Sequence, residues 1–319
     1  MALKKLIINA FIFFACLLFC YILCSFLFFL LVNKGIISSK NSNIMYVRGQ
    51  GGGTIERLKE VKSYENIDIL FLGASHTYRE FDPRIFAKHN IKTFNLGSSI
   101  QTPTQTEILL NKYLPKLNPK LVIYEVYPNV FMKDDVESAL DIICNDDIDI
   151  HSLTMAFKAN NILVYNTLLY NTFAQITNQR HPISKEINTD EVYVNGGYVE
   201  RKLKFYKNND TIKTKEWKPL VYNIKAFNNT LKKLKERNIK TILVYAPTTK
   251  RDYKSFTKNK EIDSFFTSKA EYYNFNNILN LNDTLNFYDY NHLNQTGVEI
   301  FNNKLIELLD LENKLKNIN

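Results

Sequence analysis

Three features of this 319-residue sequence predict an α/β domain of three layers, with helices on both faces of a mostly parallel sheet. Short runs apolar at every position, such as "IDILFLG" (67–73), recur along the chain. Helical stretches alternate with these runs, and two of the helices open on a capping residue followed by proline. Strands that are apolar on both sides need cover on both sides, which helical crossovers between parallel strands supply.

The chain begins with a separate element. Residues 6–32 are apolar except for Asn9 and Ser25 and follow Lys4 and Lys5, which is enough for a helix to cross a bilayer. The apolar core is too long for a cleaved signal peptide, and no small-x-small site follows it, so residues 1–32 read as a retained single-pass anchor. Cys16 does not read as a lipidation site, because "FFA" precedes it and the apolar run continues beyond it. Cys16, Cys20 and Cys24 recur every four residues and share one helix face as small packing groups. Cys144 is then alone in the rest of the chain, which rules out a disulfide within the domain. Lys4, Lys5 and the terminal amine, against Lys34 and Lys40 on the other flank, place the amino end inside and the domain on the extracytoplasmic side.

Residues 33–62 are polar and hold "GQGGGT" (49–54). No strand precedes that glycine run and no Gly-Lys-Ser/Thr follows, so it reads as a spacer and not as a phosphate loop. The domain proper is expected over 63–319. After the first strand, "DPRIFAKHN" reads as a short helix capped by Asp82, with Pro83 at its first position. "KTFNLG" (92–97) is a second strand, and the helix "TPTQTEILLNKYLPKL" is capped by Thr102 with Pro103 just inside. "KLVIYEVYP" (120–128) is a third strand. Residues 130–215 interrupt the alternation with a helical stretch (151–177) and a hairpin turn at "NGG" (195–197), and read as an inserted cap. The amphipathic "VYNIKAFNNTLKKLKERN" then feeds a fourth strand, "IKTILVYAP" (239–247). "SFFTSKAEYYNF" reads as a further helix running toward a last edge strand. A terminal helix spans about 294–315.

The formal charge is +9, and residues 198–218 carry seven Lys or Arg against three Asp or Glu. That stretch reads as a solvated face. The anchor and the lack of a recognised motif argue against nucleic acid as a partner. No His, Cys or Asp cluster has ligand spacing, so neither a metal nor another cofactor is expected.

In an open α/β sheet the ligand site lies beyond the carboxyl ends of the strands. The first strand ends at "GASHT" (73–77), the second at "NLGS" (95–98) and the third at "YPN" (127–129), while "DYNHLNQTG" (289–297) precedes the terminal helix. A serine, an aspartate and a histidine thus share one rim: a nucleophile, an orienting carboxylate and a base. Ser75 supplies the hydroxyl, His292 takes its proton, and Asp289 holds the imidazole tautomer. His76, adjacent to Ser75, reads as a pocket-lining or structural residue. His89, His151 and His181 are scattered and read as ordinary polar residues. Glu125, and Arg79 with Glu80, read as structural or solvated.

At these residues the chain resembles the SGNH hydrolase superfamily, the GDSL esterases and lipases. The resemblance runs loosely from about 67 to 312 and implies a flavodoxin-like sheet. It also implies Ser75, Asp289 and His292 as the catalytic set, with the Ser75 amide, Gly97 and Asn129 as the oxyanion hole. Two positions depart from the family pattern. Ala74 stands in place of the Asp of the GDS signature, and Tyr127 in place of the Gly that usually stands two residues before the Asn.

The activity implied is that of a membrane-anchored serine esterase that works through an acyl-enzyme on acyl groups, acetyl in particular, of a cell-envelope glycan or another small ester. Transfer of the acyl group to a sugar hydroxyl uses the same residues. A catalytically silent module that binds a glycan or a partner is the alternative from another class. The sequence leaves the oligomeric state open.

Overall fold

A computed structural model describes residues 2–38, 46, 48–49, 52–179, 190–207 and 211–317. From the amino terminus come α1 (Ala2–Asn33), α2 (Thr54–Glu60), β1 (Ile69–Gly73), α3 (Ser75–Glu80), α4 (Pro83–Ala87), β2 (Thr93–Gly97), α5 (Pro103–Leu117) and β3 (Leu121–Glu125). The insertion holds α6 (Val136–Asn145), α7 (Ile150–Ala159), α8 (Ile162–Ile176) and the hairpin β4 (Glu191–Val194) and β5 (Tyr198–Arg201). The chain then returns through α9 (Val221–Glu236), β6 (Lys240–Tyr245), α10 (Lys250–Ser255), α11 (Asn259–Thr267), β7 (Glu271–Asn274), α12 (Phe275–Ile278), α13 (Gln295–Leu308) and α14 (Leu311–Lys316).

Five strands form one sheet in the order β2-β1-β3-β6-β7, and every pairing is parallel. Alternate residues of each strand feed different cores. Leu70, Leu72, Val122, Tyr124 and Leu243 pack with α5, α9 and α11, and the helices of the insertion join that side. Ile69, Phe71, Ile123, Ile242 and Val244 face the other way, onto α4, α13 and α14. Each such fully buried side chain contributes about 1.5–3 kcal/mol. The order reverses between β1 and β3, so their carboxyl ends diverge into a crevice at that point.

Caps were legible as expected: the Asp82 side chain accepts from the Arg84 amide, and the Thr102 hydroxyl from the Gln105 amide. Four segments differ from the sequence reading, one of them the terminal helix, which breaks at Asp310 (φ 46°) into α13 and α14. The helical stretch 151–177 breaks at Asn160, whose φ of 44° lies in the left-handed region that ends a helix. The helix expected over "SFFTSKAEYYNF" stops at Thr267, and Glu271–Asn274 pairs with β6 as the edge strand. Tyr272 and Tyr273 favour a pleated, half-buried surface over another helical turn.

Residues 54–63 fall within the stretch read as a spacer, yet they pack into the domain. Ile55, Leu58 and Val61 are buried. Arg57 is also buried and donates to the carbonyls of Gly52 (2.7 Å) and Gly197 (2.9 Å), lying 4.3 Å over the Tyr78 ring. Ile55, Leu58 and Val61 recur every three positions, a helical signal that the neighbouring glycines obscured.

α1 is long and apolar enough to cross a membrane. Its last turns rest on α8, with Phe26 against Phe173 (5.1 Å between ring centres) and Phe29 against Tyr170 (5.2 Å). Residues 2–24 are exposed.

Candidate active site

The rim beyond β1 is built by two glycines. Gly73 has φ +140°, and a Cβ there would collide with the Thr77 hydroxyl and lie 2.9 Å from the Glu125 carbonyl. A Cβ on Gly97 would lie 2.6 Å from the Ala74 carbonyl oxygen. Only glycine at both positions lets the chain leave β1 sharply while β2 stays beside it. The turn makes Ser75 the first residue of α3, so its N–H has no partner within the helix.

Ser75 Oγ lies 2.8 Å from His292 Nε2, across 217 residues of sequence. His292 Nδ1 meets both oxygens of Asp289, at 3.1 and 3.0 Å. An ionised carboxylate only accepts, so Nδ1 carries the ring proton, and Nε2 is left to accept from the Ser75 hydroxyl. Asp289 Oδ1 also accepts the amides of Asn291 (3.0 Å) and His292 (2.8 Å), which makes the Asp-x-x-His segment a tight turn around its own carboxylate.

Burial works on these groups in opposite senses. For Asp289 burial favours the neutral acid, but His292, the Asn291 amide and Arg201 outweigh it and hold the carboxyl below its ordinary value. For His292 burial comes first and lowers its pKa; Asp289 raises it, and Arg201 and Arg79 oppose that. Burial therefore favours the neutral imidazole of His292.

The structure brings Ser75, His292 and Asp289 together, with Gly97 against the corner that carries Ser75. Asn129 sits half-buried on the single 3-10 turn Pro128–Met132 that follows β3, and its side chain makes no hydrogen bond to Ser75 or His292. Tyr127 fills the position where the resemblance implies glycine. Its hydroxyl donates to Asp252 (2.9 Å) and its ring lies 4.3 Å from that of His76. His76 is buried, bonded through Nε2 to the Asn291 carbonyl (2.9 Å), and its ring centre lies 4.8 Å from that of His292. Burial, then His292, push its pKa well down, so it buttresses the rim as a neutral ring.

Several contacts at the rim escaped the sequence reading. Arg201, on the hairpin, reaches Asp289 Oδ2 with Nη1 at 3.0 Å. Arg79 pairs with Glu191 of the same hairpin at 2.8 Å, and not with its neighbour Glu80. Glu80 and Glu125 are fully buried next to one another. Burial raises both carboxyls, Glu125 to about 8, and for Glu80 the charge of Glu125 adds to it. Glu80 Oε1 accepts from the Leu293 amide at 3.3 Å, directly after His292. Neither Glu125 oxygen makes a hydrogen bond of ordinary geometry, and the amides of Tyr127 and Ala246 ease its charge only in part. The strand-terminal position of Glu125 was the one available signal.

The sequence matches no protein-family model and no curated protein. Solved structures similar to this chain include a candidate acylhydrolase from Bacteroides fragilis NCTC 9343, at 12% identity and a TM-score of 0.42, covering 83% of this chain and 98% of the other. They also include a GDSL-like lipase from Bacteroides thetaiotaomicron VPI-5482, at 14% identity and a TM-score of 0.42, covering 81% and 98%.

Proposed function

We propose that the chain is a membrane-anchored serine esterase that removes O-acyl groups, acetyl in particular, from a cell-envelope glycan through an acyl-enzyme. One observation carries the reading: a serine hydroxyl 2.8 Å from an imidazole whose other nitrogen is held by a half-buried carboxylate. His292 accepts the hydroxyl proton as Ser75 Oγ attacks the ester carbonyl. The oxyanion is met by the amides of Ser75 and Gly97 and by the Asn129 side chain, each such donor being worth on the order of 100-fold or more in rate. The imidazolium returns the proton to the departing sugar oxygen, which leaves the acyl group on Ser75. Water, deprotonated by His292, then releases the acid; a sugar hydroxyl in its place gives transfer.

The glycan and the extracytoplasmic site are supported by α1. A tethered enzyme works on what lies at the membrane or wall, and Lys4 and Lys5 before the apolar run favour an inside amino end. The test is labelling of the full chain by a fluorophosphonate probe, with loss of labelling in Ser75→Ala. Equal labelling of that variant rejects Ser75 as the nucleophile. An acetyl ester assayed with and without a sugar acceptor separates hydrolysis from transfer.

A further inference from the structure

We propose that Arg201 is a positioning residue for the Ser75–His292–Asp289 set, and that through it the inserted hairpin locks the nucleophile helix to the histidine loop. The inference rests on the proposed hydrolase reading and adds to it a role for the insertion.

The contacts close a ring. Ser75 and Arg79 are one helical turn apart on α3. Arg79 Nη2 donates to Glu191 Oε1 at 2.8 Å, and Arg201 Nε reaches the same oxygen at 3.3 Å. Glu191 and Arg201 face each other directly across the β4–β5 ladder. Arg201 Nη1 donates to Asp289 Oδ2, the oxygen that also meets His292 Nδ1, and His292 returns to Ser75. The links are well shielded: Arg79 is 8% exposed, Glu191 12% and Arg201 17%. The Arg201 guanidinium also lies 4.4 Å over the ring of Tyr288, the residue before Asp289.

The hairpin is itself fixed to the sheet edge, where the Asn95 amide donates to the Gly196 carbonyl at 2.8 Å. Arg201 therefore comes from a rigid support outside the helices that carry Ser75. A guanidinium suits this place because its planar fork serves Asp289 and Glu191 at once, which an ammonium does not do with fixed geometry. It does two things to the carboxylate. It selects one orientation, and it competes with the imidazolium for the negative charge, which keeps His292 neutral to lower pH. The charged and titratable groups facing His292 are Asp289 on its own loop, His76, Arg79 and Glu80 on α3, and Arg201 on β5.

The test is the pH titration of the His292 imidazole, followed by NMR in full-length detergent-solubilised protein with labelled histidine and assigned with His292→Gln. It is combined with the pH profile of fluorophosphonate labelling. In Arg201→Gln the His292 titration and the acid limb of labelling move to higher pH, by on the order of half a unit to one unit, and labelling slows about tenfold or more. Arg201→Lys restores the titration and recovers only part of the rate. Glu191→Gln, which removes an anion and leaves Arg201 charged, moves the titration the opposite way, and serves if Arg201→Gln does not fold. A His292 titration unchanged in Arg201→Gln, or unchanged in Glu191→Gln where that variant stands in, overturns the proposal. Because the titration needs no turnover, a wild type that fails to label rejects the hydrolase reading alone.

Discussion

Replacing Glu125 with Gln should make the fold more stable as pH rises. Glu125 ends β3, is 1% exposed, and adjoins Gly73 at the crevice between β1 and β3. Its carboxyl is pushed from an ordinary 4.5 to about 8, first by burial. Between those two values the folded chain keeps a proton that the unfolded chain releases. Raising the pH therefore favours unfolding through that window, by about 1.4 kcal/mol per pH unit. From pH 5 to pH 8 the loss amounts to roughly 3 kcal/mol, a large part of a typical domain's stability. Glutamine keeps the shape and carries no such proton, and without the Glu125 charge the neighbouring Glu80 is also less perturbed. The assay is denaturant unfolding of both proteins at pH 5, 6, 7 and 8. The variant should gain on the wild type by roughly 3 kcal/mol across the series, a double difference in which any fixed cost of the amide cancels. Parallel curves for the two proteins would mean that Glu125 is ionised in the fold, and the burial argument would fail.

Two more outcomes follow from the proposed mechanism and the fold. Asn129→Ala should slow labelling and ester turnover by about 100- to 1,000-fold with little change in stability, if its amide meets the oxyanion; a loss smaller than about fivefold would remove Asn129 from that role. The full chain should stay in the membrane pellet after alkaline carbonate extraction, because α1 is long and apolar enough to cross a bilayer and leaves residues 2–24 exposed. Release into the supernatant would leave α1 without its proposed place in the bilayer.

β1, β2 and β3 were legible because each is buried on both faces, and an unbroken run such as "ILFLG" has few alternatives between two turn signals. The rim was legible for a related reason. In an all-parallel sheet every strand ends at the same edge, so Ser75, Gly97 and the segment before the last helix share a location whatever their separation in sequence. What failed to show was every contact made by side chains without periodic pattern. Arg201 is one of seven basic residues between 198 and 218, and nothing local marks it as the one that reaches Asp289. Arg79 and Glu80, adjacent in sequence and read as structural or solvated, point on their short helix to different surroundings, one to the hairpin and one to the core. The packed residues 54–63 were hidden by glycines that signal flexibility in isolation and here allow close approach, as where a Cβ on Gly53 would lie 2.7 Å from the Tyr193 ring.

The rim solves the cost of buried charge in two different ways, and the division explains why the hairpin belongs to the domain. Beneath the turn after β1, Glu125, Glu80 and His76 are deprived of water, and the low-dielectric surroundings keep them in their neutral forms. Beside it, Asp289, Arg201, Glu191 and Arg79 alternate in sign and sum to no net charge. Burial would raise both carboxyls of that chain, but His292 first, with Arg201 adding to it, holds Asp289 below its ordinary value, and Arg79 and Arg201 do the same for Glu191. Two of the four members come from the hairpin. Without it, buried Arg79 would lose the carboxylate it pairs with, a situation that costs about 3–5 kcal/mol when one partner of a buried pair is removed, and Asp289 would keep His292 but lose its arginine. An appended cap could be lost with its own contacts only, whereas loss of this hairpin would strand Arg79 and take one partner from Asp289 beside the proposed nucleophile.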